Sequence, residues 1–292
     1  MVAQTLLLCV GATKAGTSWL HSYCAGHPQC HIRAVKELHY FDALDSGDFA
    51  PWIADVEQAR RETLDSLADY SDRHLDKRAQ VVQDAGDWLK VLRGEKRDDA
   101  AYLEYLGDGA GNARVVGDFT PAYSLLDEAA LDRMASVAPD VRFVYLLRDP
   151  VARLWSHIRM LAARQSQDAA GFAHRASVLL RKVIKGQDNG IAERSDYAGT
   201  LGRMRRALNP VQMLVVFYEE LFNDAAIARI CRFLGLDTAP ANFAQPVMAG
   251  RELAAKPRQW LKMREFLAPQ YDAMAEMFET LPEAWGKEPM KV

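Results

Sequence analysis

Cysteine is scarce in this sequence, and the few cysteines present are widely separated. The chain of 292 residues contains four of them, at positions 9, 24, 30 and 231, and none belongs to a CxxC pair. A small disulfide-stabilised scaffold needs a denser framework, and a structural zinc site needs paired ligands at short spacing. We therefore predict reduced cysteines that pack as small apolar side chains.

Long hydrophobic runs and a large net charge are also missing. No apolar stretch approaches the ~20 residues that a transmembrane helix needs, and the apolar run near the N-terminus covers only Thr5 to Val10, too short for the core of a signal peptide. The formal net charge of −3 does not indicate a nucleic-acid-binding surface. We expect a cytoplasmic protein with neither a membrane span nor a nucleic-acid partner.

Histidines cluster in the N-terminal region, but their spacing does not match a metal site. Four of them lie between His21 and His39. Neither these histidines nor the Asp and Glu residues show the spacing of a dedicated ion site. We therefore predict no metal ion in the functional site.

The most informative segment joins an apolar strand, a turn with small and hydroxyl residues, and a helix. Thr5 to Val10 suits a buried strand, Gly11 and Gly16 permit a tight turn, and the pattern from Thr17 onward suits a helix. Free backbone amides at the start of such a helix favour an anion. The segment predicts a phosphate-binding loop formed by Lys14, Ala15, Gly16, Thr17 and Ser18.

The position of the lysine distinguishes this loop from a Walker A loop. A Walker A loop has Lys directly after its second Gly, followed by a Ser or Thr that binds Mg²⁺. Here Lys14 comes two residues before Gly16, and Thr17 and Ser18 follow the glycine. The ammonium group is therefore expected to approach the phosphate from the other side of the loop.

A second strand and helix carry another pattern suited to an anion. Val141 to Leu147 is an apolar run typical of a strand, and Pro150 marks the first turn of the helix that follows. Arg148, at the carboxyl end of this strand, offers a forked donor for a phosphate, and Ser156 adds a hydroxyl from the helix. Taken alone, Arg148 and Asp149 also fit an ordinary ion pair at a strand end.

Together, the loop at Lys14 and the Arg148–Ser156 element resemble the nucleotide-binding motifs of sulfotransferases that use 3′-phosphoadenosine 5′-phosphosulfate (PAPS). The resemblance implies that Lys14 and residues 15–18 bind the 5′-phosphosulfate, that Arg148 and Ser156 bind the 3′-phosphate, and that adenosine 3′,5′-bisphosphate (PAP) is the product. It also implies that Lys14 stabilises the charge that develops on the leaving oxygen. Because a sulfuryl group carries less charge than a phosphoryl group, this lysine and backbone amides can act without a metal ion.

Two aromatic residues have two interpretations each. Trp19 is either a core residue at helical spacing or, as in many members of that family, the ring on which adenine stacks. Tyr197 and Leu201 match the family's Tyr-x-x-x-Leu pattern, in which the tyrosine can reach the adenine ring. A tyrosine at the start of an amphipathic helix is also commonly a half-buried packing residue.

A third stretch, Lys36-Glu37-Leu38-His39-Tyr40-Phe41-Asp42, resembles the Lys-Glu-x-His-Phe-Phe segment of the carbohydrate-type branch, which includes heparan sulfate sulfotransferases. The glutamate is the proposed base in that branch, which implies that Glu37 removes the proton of the acceptor. His39 is an alternative base or a group that orients Glu37. The competing interpretation makes both residues part of a polar, solvated loop.

Strand-like and helix-like segments alternate along the chain, as in a parallel sheet with helices on its faces. The family resemblance, over about residues 6 to 236, implies an α/β P-loop NTPase-like sulfotransferase fold with helical insertions. With 49% hydrophobic residues in 292, the chain can bury a large core, and we expect a single domain over residues 1–292. We expect a helical insertion at about 45–110 and a C-terminal helical segment at about 237–292.

Some positions depart from the family pattern. Phe119 occupies the place of a lysine in the family's Gly-Glu-Lys-Ser/Thr-Pro-x-Tyr segment. Met160 occupies the place where some members have an arginine, although Arg159 and Arg164 are near in sequence. Three basic residues are candidates for a C-terminal loop that closes over the nucleotide in many members: Arg251, Lys256 and Arg258.

The sequence thus predicts an enzyme that transfers a sulfuryl group from PAPS to a hydroxyl or amine. The acceptor is expected to be a small molecule, a carbohydrate or a lipid, and the oligomeric state stays open. One alternative is a P-loop small-molecule kinase, which needs ATP and Mg²⁺. Another is a non-catalytic nucleotide-binding module of the same fold.

Overall fold

A five-stranded parallel sheet forms the centre of the protein in a computed structural model that describes residues 4–67, 72–166, 168–244 and 250–286. Its strands are β1 (Thr5–Gly11), β2 (Cys30–His31), β3 (Val115–Asp118), β4 (Val141–Leu147) and β5 (Met213–Phe217). They lie in the order β2-β3-β1-β4-β5, and every neighbouring pair is parallel. The predicted α/β fold with a central parallel sheet is confirmed.

Helices cover the sheet and account for most of the remaining chain. In the order of the sequence they are α1 (Thr17–Ala25), α2 (Tyr40–Ser46), α3 (Ala50–Asp65), α4 (Asp72–Leu92), α5 (Asp99–Gly107), α6 (Glu128–Ser136), α7 (Pro150–Arg164), α8 (Ala169–Ile184), α9 (Asn189–Glu193), α10 (Tyr197–Ala207), α11 (Asp224–Leu234), α12 (Pro257–Phe266) and α13 (Ala268–Met277). No helix within the described ranges is both long and apolar enough to cross a membrane.

The two central strands are apolar over most of their length because helices cover both faces of the sheet. Residues 6 to 10 of β1 are at most 1% exposed, and so are 143 to 147 of β4. Leu6 pairs with Val141, and Gly11 pairs with Tyr145. The carboxyl ends of β1 and β4 are therefore neighbours, and the loops that follow them leave the same edge of the sheet.

The strand order reverses at β1, which lies between β3 on one side and β4 on the other. In open parallel sheets, such a reversal leaves a crevice outside the carboxyl ends of the strands, where ligands bind. The loop predicted to bind a phosphate follows β1, and Arg148 follows β4. The topology therefore brings both elements to this crevice.

The stretch from 45 to 110 is helical, and its helices divide into an outer and an inner part. Helix α3 has no buried residue and packs mainly on α4. By contrast, Trp88 of α4 and Tyr102 of α5 are fully buried in the core beneath α2. Helix α2 and strand β2 do not appear in the sequence prediction because segments this short carry too little periodicity.

Candidate functional site

The loop after β1 adopts the backbone that a phosphate cradle needs. Lys14 has a φ of 70° and Gly16 a φ of 98°, both in the left-handed region. A Cβ atom on Gly16 would lie 3.0 Å from the ring of Tyr218, so glycine is required there for conformation and for space. No side chain caps the N-terminus of α1, and its first turn has no acidic residue. The amides of Thr17 and Ser18 are thus not capped by a side chain and can face an external anion.

Arg148 directly contacts this loop. Its Nη1 atom donates a hydrogen bond to the backbone carbonyl of Lys14 at 3.1 Å, and its guanidinium lies 4.4 Å from the centre of the Tyr218 ring. Arg148 and Lys14 are 134 positions apart in the sequence. The fold therefore brings together the two cationic elements that the sequence singled out.

Asp149 is not the partner of Arg148. Its carboxylate caps α7 by accepting a hydrogen bond from the amide of Ala152 at 2.7 Å, and it accepts a second one from the hydroxyl of Tyr271 at 2.6 Å. The guanidinium of Arg148 thus has no carboxylate partner within the described ranges. Ser156 lies two turns along the same helix and is 9% exposed.

Lys36 is a further cation at the cradle. It belongs to the segment from Lys36 to Asp42, but no role was predicted for it from the sequence. Its ammonium group donates to the hydroxyl of Ser18 at 2.9 Å and to that of Thr17 at 3.4 Å. These hydroxyls belong to the first turn of α1, so Lys36 joins the cradle from the side. The only feature of the sequence that pointed to Lys36 was its place directly before Glu37.

Glu37 lies beside the cradle next to Lys36. Its Oε1 atom is 3.7 Å from the ammonium nitrogen of Lys36, and its Oε2 atom is 3.9 Å from Nε2 of His39. About half of its side chain (51%) is exposed. Glu37 and His39 both have positive φ values, of 61° and 55°, which is uncommon for residues other than glycine and is often found at functional sites.

His39 is held in a single orientation by two residues. Its Nδ1 atom lies 2.5 Å from Oδ2 of Asp42, and its ring stacks on Trp52 with 4.0 Å between the ring centres. An ionised Asp42 can only accept a hydrogen bond, so Nδ1 carries the proton and Nε2 of a neutral ring keeps its lone pair. That nitrogen is the one near Glu37. The sequence assigned no role to Asp42 or Trp52, although the spacing of three residues between His39 and Asp42 was a usable signal.

The two aromatic candidates are both well packed. Trp19 is 7% exposed, contacts the rings of Tyr23, Phe222 and Phe243, and donates from Nε1 to the carbonyl of Asn242. It lines a cavity of about 170 Å³ between α1 and residues 239–242.

Tyr197 is fully buried, and its hydroxyl donates to the backbone carbonyl of Arg148 at 2.9 Å. This geometry differs from the direct contact with adenine implied by the family pattern. A side chain without exposed surface supports Arg148 from behind instead, because its one hydroxyl is engaged with the backbone of that residue.

Positive charge dominates the site, although Glu37 lies beside Lys36 and Glu252 acts on Arg159. Burial, and then Arg148 and Arg159, lower the pKa of Lys14, with Lys36 contributing further. Burial and the charge of Arg148 also lower the pKa of Arg159, whose Nε atom is buried without a hydrogen-bond partner. Cations held together in this way repel one another, and an anion with several charges would relieve the repulsion. Arg159, rather than Met160, thus supplies positive charge beside Arg148.

Two of the remaining candidates pack against aromatic rings. Phe119, which replaces the family's lysine, is buried against His21. Arg251 stacks on Phe172 of α8, with 4.9 Å from its guanidinium carbon to the ring centre. Within the described ranges, no three His, Cys, Asp or Glu side chains come together as ligands for a metal ion.

Comparison with known proteins concerns the family and the fold of this chain. The model of the Sulfotransferase family matches residues 7–240. A crystal structure of a sulfotransferase from Alicyclobacillus acidocaldarius superposes with a TM-score of 0.63 at 22% identity, covering 98% of this chain and 100% of that one. No curated protein sequence matches significantly.

Two further structures are similar at lower scores. The sulfotransferase domain of the Synechococcus PCC 7002 olefin synthase has a TM-score of 0.49 at 19% identity, with 96% of this chain and 95% of that one covered. The sulfotransferase domain from the curacin biosynthetic pathway has a TM-score of 0.48 at 15% identity, with 100% and 94% covered. The match of the family model to most of the chain, on a fold shared with a solved member, shows that this protein belongs to the sulfotransferase family.

Proposed function

We propose that this protein transfers a sulfuryl group from PAPS to a hydroxyl or amine of an acceptor molecule. The contact between Arg148 and the carbonyl of Lys14 carries this proposal. It joins two cationic elements at the carboxyl ends of β1 and β4, and neither cation has a carboxylate partner in the described part of the chain. A ligand with an anionic group at each end of a nucleoside fits such a pair.

The residues divide between the two ends of the nucleotide. Lys14, Lys36 and the backbone amides of residues 16–18 are assigned to the 5′-phosphosulfate, whereas the amide of Ala15 donates to the carbonyl of Ala12 at 3.1 Å. Arg148, Arg159 and Ser156 are assigned to the 3′-phosphate, with Tyr197 fixing the backbone of Arg148. Trp19 is assigned to the adenine ring because it lies in the first turn of the helix that begins at the cradle. When bound, PAPS supplies an activated sulfuryl group, which leaves with cleavage of a sulfur–oxygen bond.

The chain supplies a proton acceptor and a cation for the transfer. Glu37, beside Lys36, accepts the proton of the acceptor group, since a half-exposed carboxylate next to the cradle can reach both solvent and a bound molecule. His39, held by Asp42, orients Glu37 or accepts the proton itself through Nε2. Lys14 stabilises the negative charge that develops on the leaving oxygen.

Calorimetric titration with PAP in the presence of EDTA tests the nucleotide assignment and separates it from the kinase alternative. We expect PAP to bind without a metal and more tightly than ATP with Mg²⁺. Lys14→Met should weaken PAP binding by about 10- to 100-fold, because it removes charge-assisted hydrogen bonds. Lys90→Met is the control, since Lys90 is 79% exposed and pairs with Asp87. Preference for ATP with Mg²⁺ would contradict the proposal.

Transfer itself is tested by incubating the protein with radiolabelled PAPS and an extract of the source cells, followed by identification of the labelled product. An enzyme gives a labelled acceptor and free PAP. A non-catalytic nucleotide-binding module of the same fold binds PAP but labels nothing. The second result would limit the function to nucleotide binding.

A further inference from the structure

A second group of cations meets the cradle at Thr13, whereas Lys36 contacts it at Thr17 and Ser18. Arg194, in the loop between α9 and α10, donates from Nη1 to the hydroxyl of Thr13 at 3.1 Å. Thr13 directly precedes Lys14 in the loop. The neighbour of Arg194, Ser195, is itself held by a hydrogen bond from the guanidinium of Arg153. Arg194 is therefore held in two ways: directly by Thr13 of the loop, and through its neighbour Ser195 by Arg153 of α7.

Helix α7 contributes the other members of this group from one of its faces. Arg153, His157 and Arg164 follow one another at spacings of four and seven residues, which places them on the same face of the helix. Arg153 is 0% exposed, and its Nε and Nη1 atoms have no hydrogen-bond partner. The Nδ1 atom of His157 is also buried without a partner.

This group carries positive charge that nothing nearby balances. Arg153, Arg164 and Arg194 form no ion pair with a carboxylate among the residues that the structure describes. Burial, followed by Arg153 and Arg194, lowers the pKa of His157 to about 3, with Lys14 and Arg164 contributing in the same direction. His157 therefore stays neutral, whereas the arginines stay charged.

The cations assigned to the donor nucleotide are distinct from this group. At neutral pH PAPS carries about four negative charges, since a phosphate monoester has about −1.5 to −2 and the phosphosulfate one on each of its two groups. Lys14, Lys36, Arg148 and Arg159 are assigned to these charges, and Glu37 lies 3.7 Å from Lys36. The exposed Arg164 and the half-buried Arg194 are not among these four cations, and neither is the buried Arg153.

We propose that Arg194, with Arg164, binds an anionic group of the acceptor, so that the preferred acceptor carries a carboxylate, phosphate or sulfate besides the hydroxyl or amine that is sulfated. This inference rests on the proposed function, because the acceptor must approach the sulfuryl group at Lys14. Arg194 contacts Thr13, the residue that directly precedes Lys14, so it lies within reach of a molecule positioned for transfer. Arg153 is a positioning residue that holds Ser195, and through it the loop that carries Arg194.

The binding test titrates inorganic phosphate into protein saturated with PAP. PAP fills the nucleotide site except the position of the sulfuryl group beside Lys14, so the comparison of the unmodified protein with Arg194→Gln shows how much of the phosphate binding depends on Arg194. We expect Arg194→Gln to weaken phosphate binding by about tenfold or more, the loss of a charge-assisted contact, with the affinity for PAP nearly unchanged. Arg206→Gln is the control, because Arg206 is 62% exposed and pairs with Glu128. Absence of phosphate binding, or equal binding by Arg194→Gln, overturns the inference.

The acceptor test uses the product that becomes labelled in a cell extract with radiolabelled PAPS. Mass spectrometry of that product shows whether it contains a carboxylate, a phosphate or an earlier sulfate in addition to the new sulfate. We expect such a group, and we expect Arg194→Gln to raise the KM for this acceptor more than it lowers kcat. A neutral acceptor, or an unchanged KM, overturns the inference while PAP binding and transfer still support the proposed function. Loss of PAP binding by the unmodified protein would instead defeat the proposed function.

Discussion

Replacement of Arg148 by methionine tests the assignment of the 3′-phosphate. The apolar stem of methionine can still pack on Tyr218, which lies 4.4 Å from the guanidinium, whereas the charge and the hydrogen bond to Lys14 are lost. We therefore expect the variant to fold and to bind PAP more weakly.

The expected magnitude follows from the donors that are removed. One of the three guanidinium nitrogens, Nη1, is engaged with the carbonyl of Lys14, and we assign one hydrogen bond from the others to a phosphate oxygen. A hydrogen bond to a charged group contributes about 1.5–3 kcal/mol. Arg148 is only partly buried, so solvent screening keeps the loss near the middle of this range, which corresponds to on the order of 50-fold in the dissociation constant of PAP.

The assay compares PAP with adenosine 5′-monophosphate, which has no 3′-phosphate, by calorimetry on both proteins. The unmodified protein should prefer PAP, and Arg148→Met should lose most of this preference. Arg142→Met is the control, because Arg142 lies on the same strand and pairs with Asp140 at 2.7 Å at its opposite end. The reasoning is refuted if Arg148→Met weakens both nucleotides equally, or if it binds PAP as well as the unmodified protein does.

Three other substitutions test the remaining parts of the site. Glu37→Gln should lower kcat by about 10²- to 10⁴-fold with little change in PAP affinity, measured with labelled PAPS; normal turnover would exclude Glu37 as the base. Gly16→Ala places a Cβ 3.0 Å from Tyr218 at a φ of 98°, so thermal unfolding and PAP titration should both show a loss, of about 1–3 kcal/mol in stability. His157 has a pKa of about 3, below the ~6.5 of an unfolded histidine. As the pH falls from about 6.5 towards 3, the unfolded chain binds a proton at this residue and the folded protein does not, so the free energy of unfolding falls. His157→Gln should therefore reduce the fall in unfolding free energy between pH 7 and 5 by up to about 2 kcal/mol, and identical pH profiles by chemical denaturation would contradict this.

The strand–loop–helix units that begin with β1 and β4 could be predicted from the sequence because their signals are local. An apolar run without alternation predicts a strand buried on both faces, as observed for Val141–Leu147. Pro150 and the capping side chain of Asp149 mark the start of α7. Gly16 is required because of its own backbone conformation. Each of these properties depends on only a few consecutive residues.

The short elements could not be predicted in the same way. Strand β2 has two residues and α9 has five, and neither is long enough for a hydrophobic period to be recognised. Their backbone is stabilised by contacts with distant parts of the chain, such as the pairing of Cys30 with Val115. Arg194 was not predicted as a site residue for this reason, since it lies in the loop that follows α9.

The sequence by itself determined the parallel α/β fold, the backbone of the cradle, and the presence of a cation at the end of each of two buried strands. Only the tertiary structure decided which side chains share one site: that Arg148 contacts Lys14, that Lys36 joins the first turn of α1, and that Arg194 contacts Thr13. The physical reason is that hydrophobic periodicity specifies how a segment is buried but not which strand lies beside it. The neighbouring positions of β1 and β4 arise from packing of the whole sheet, and the charges of the site meet only after that order is established.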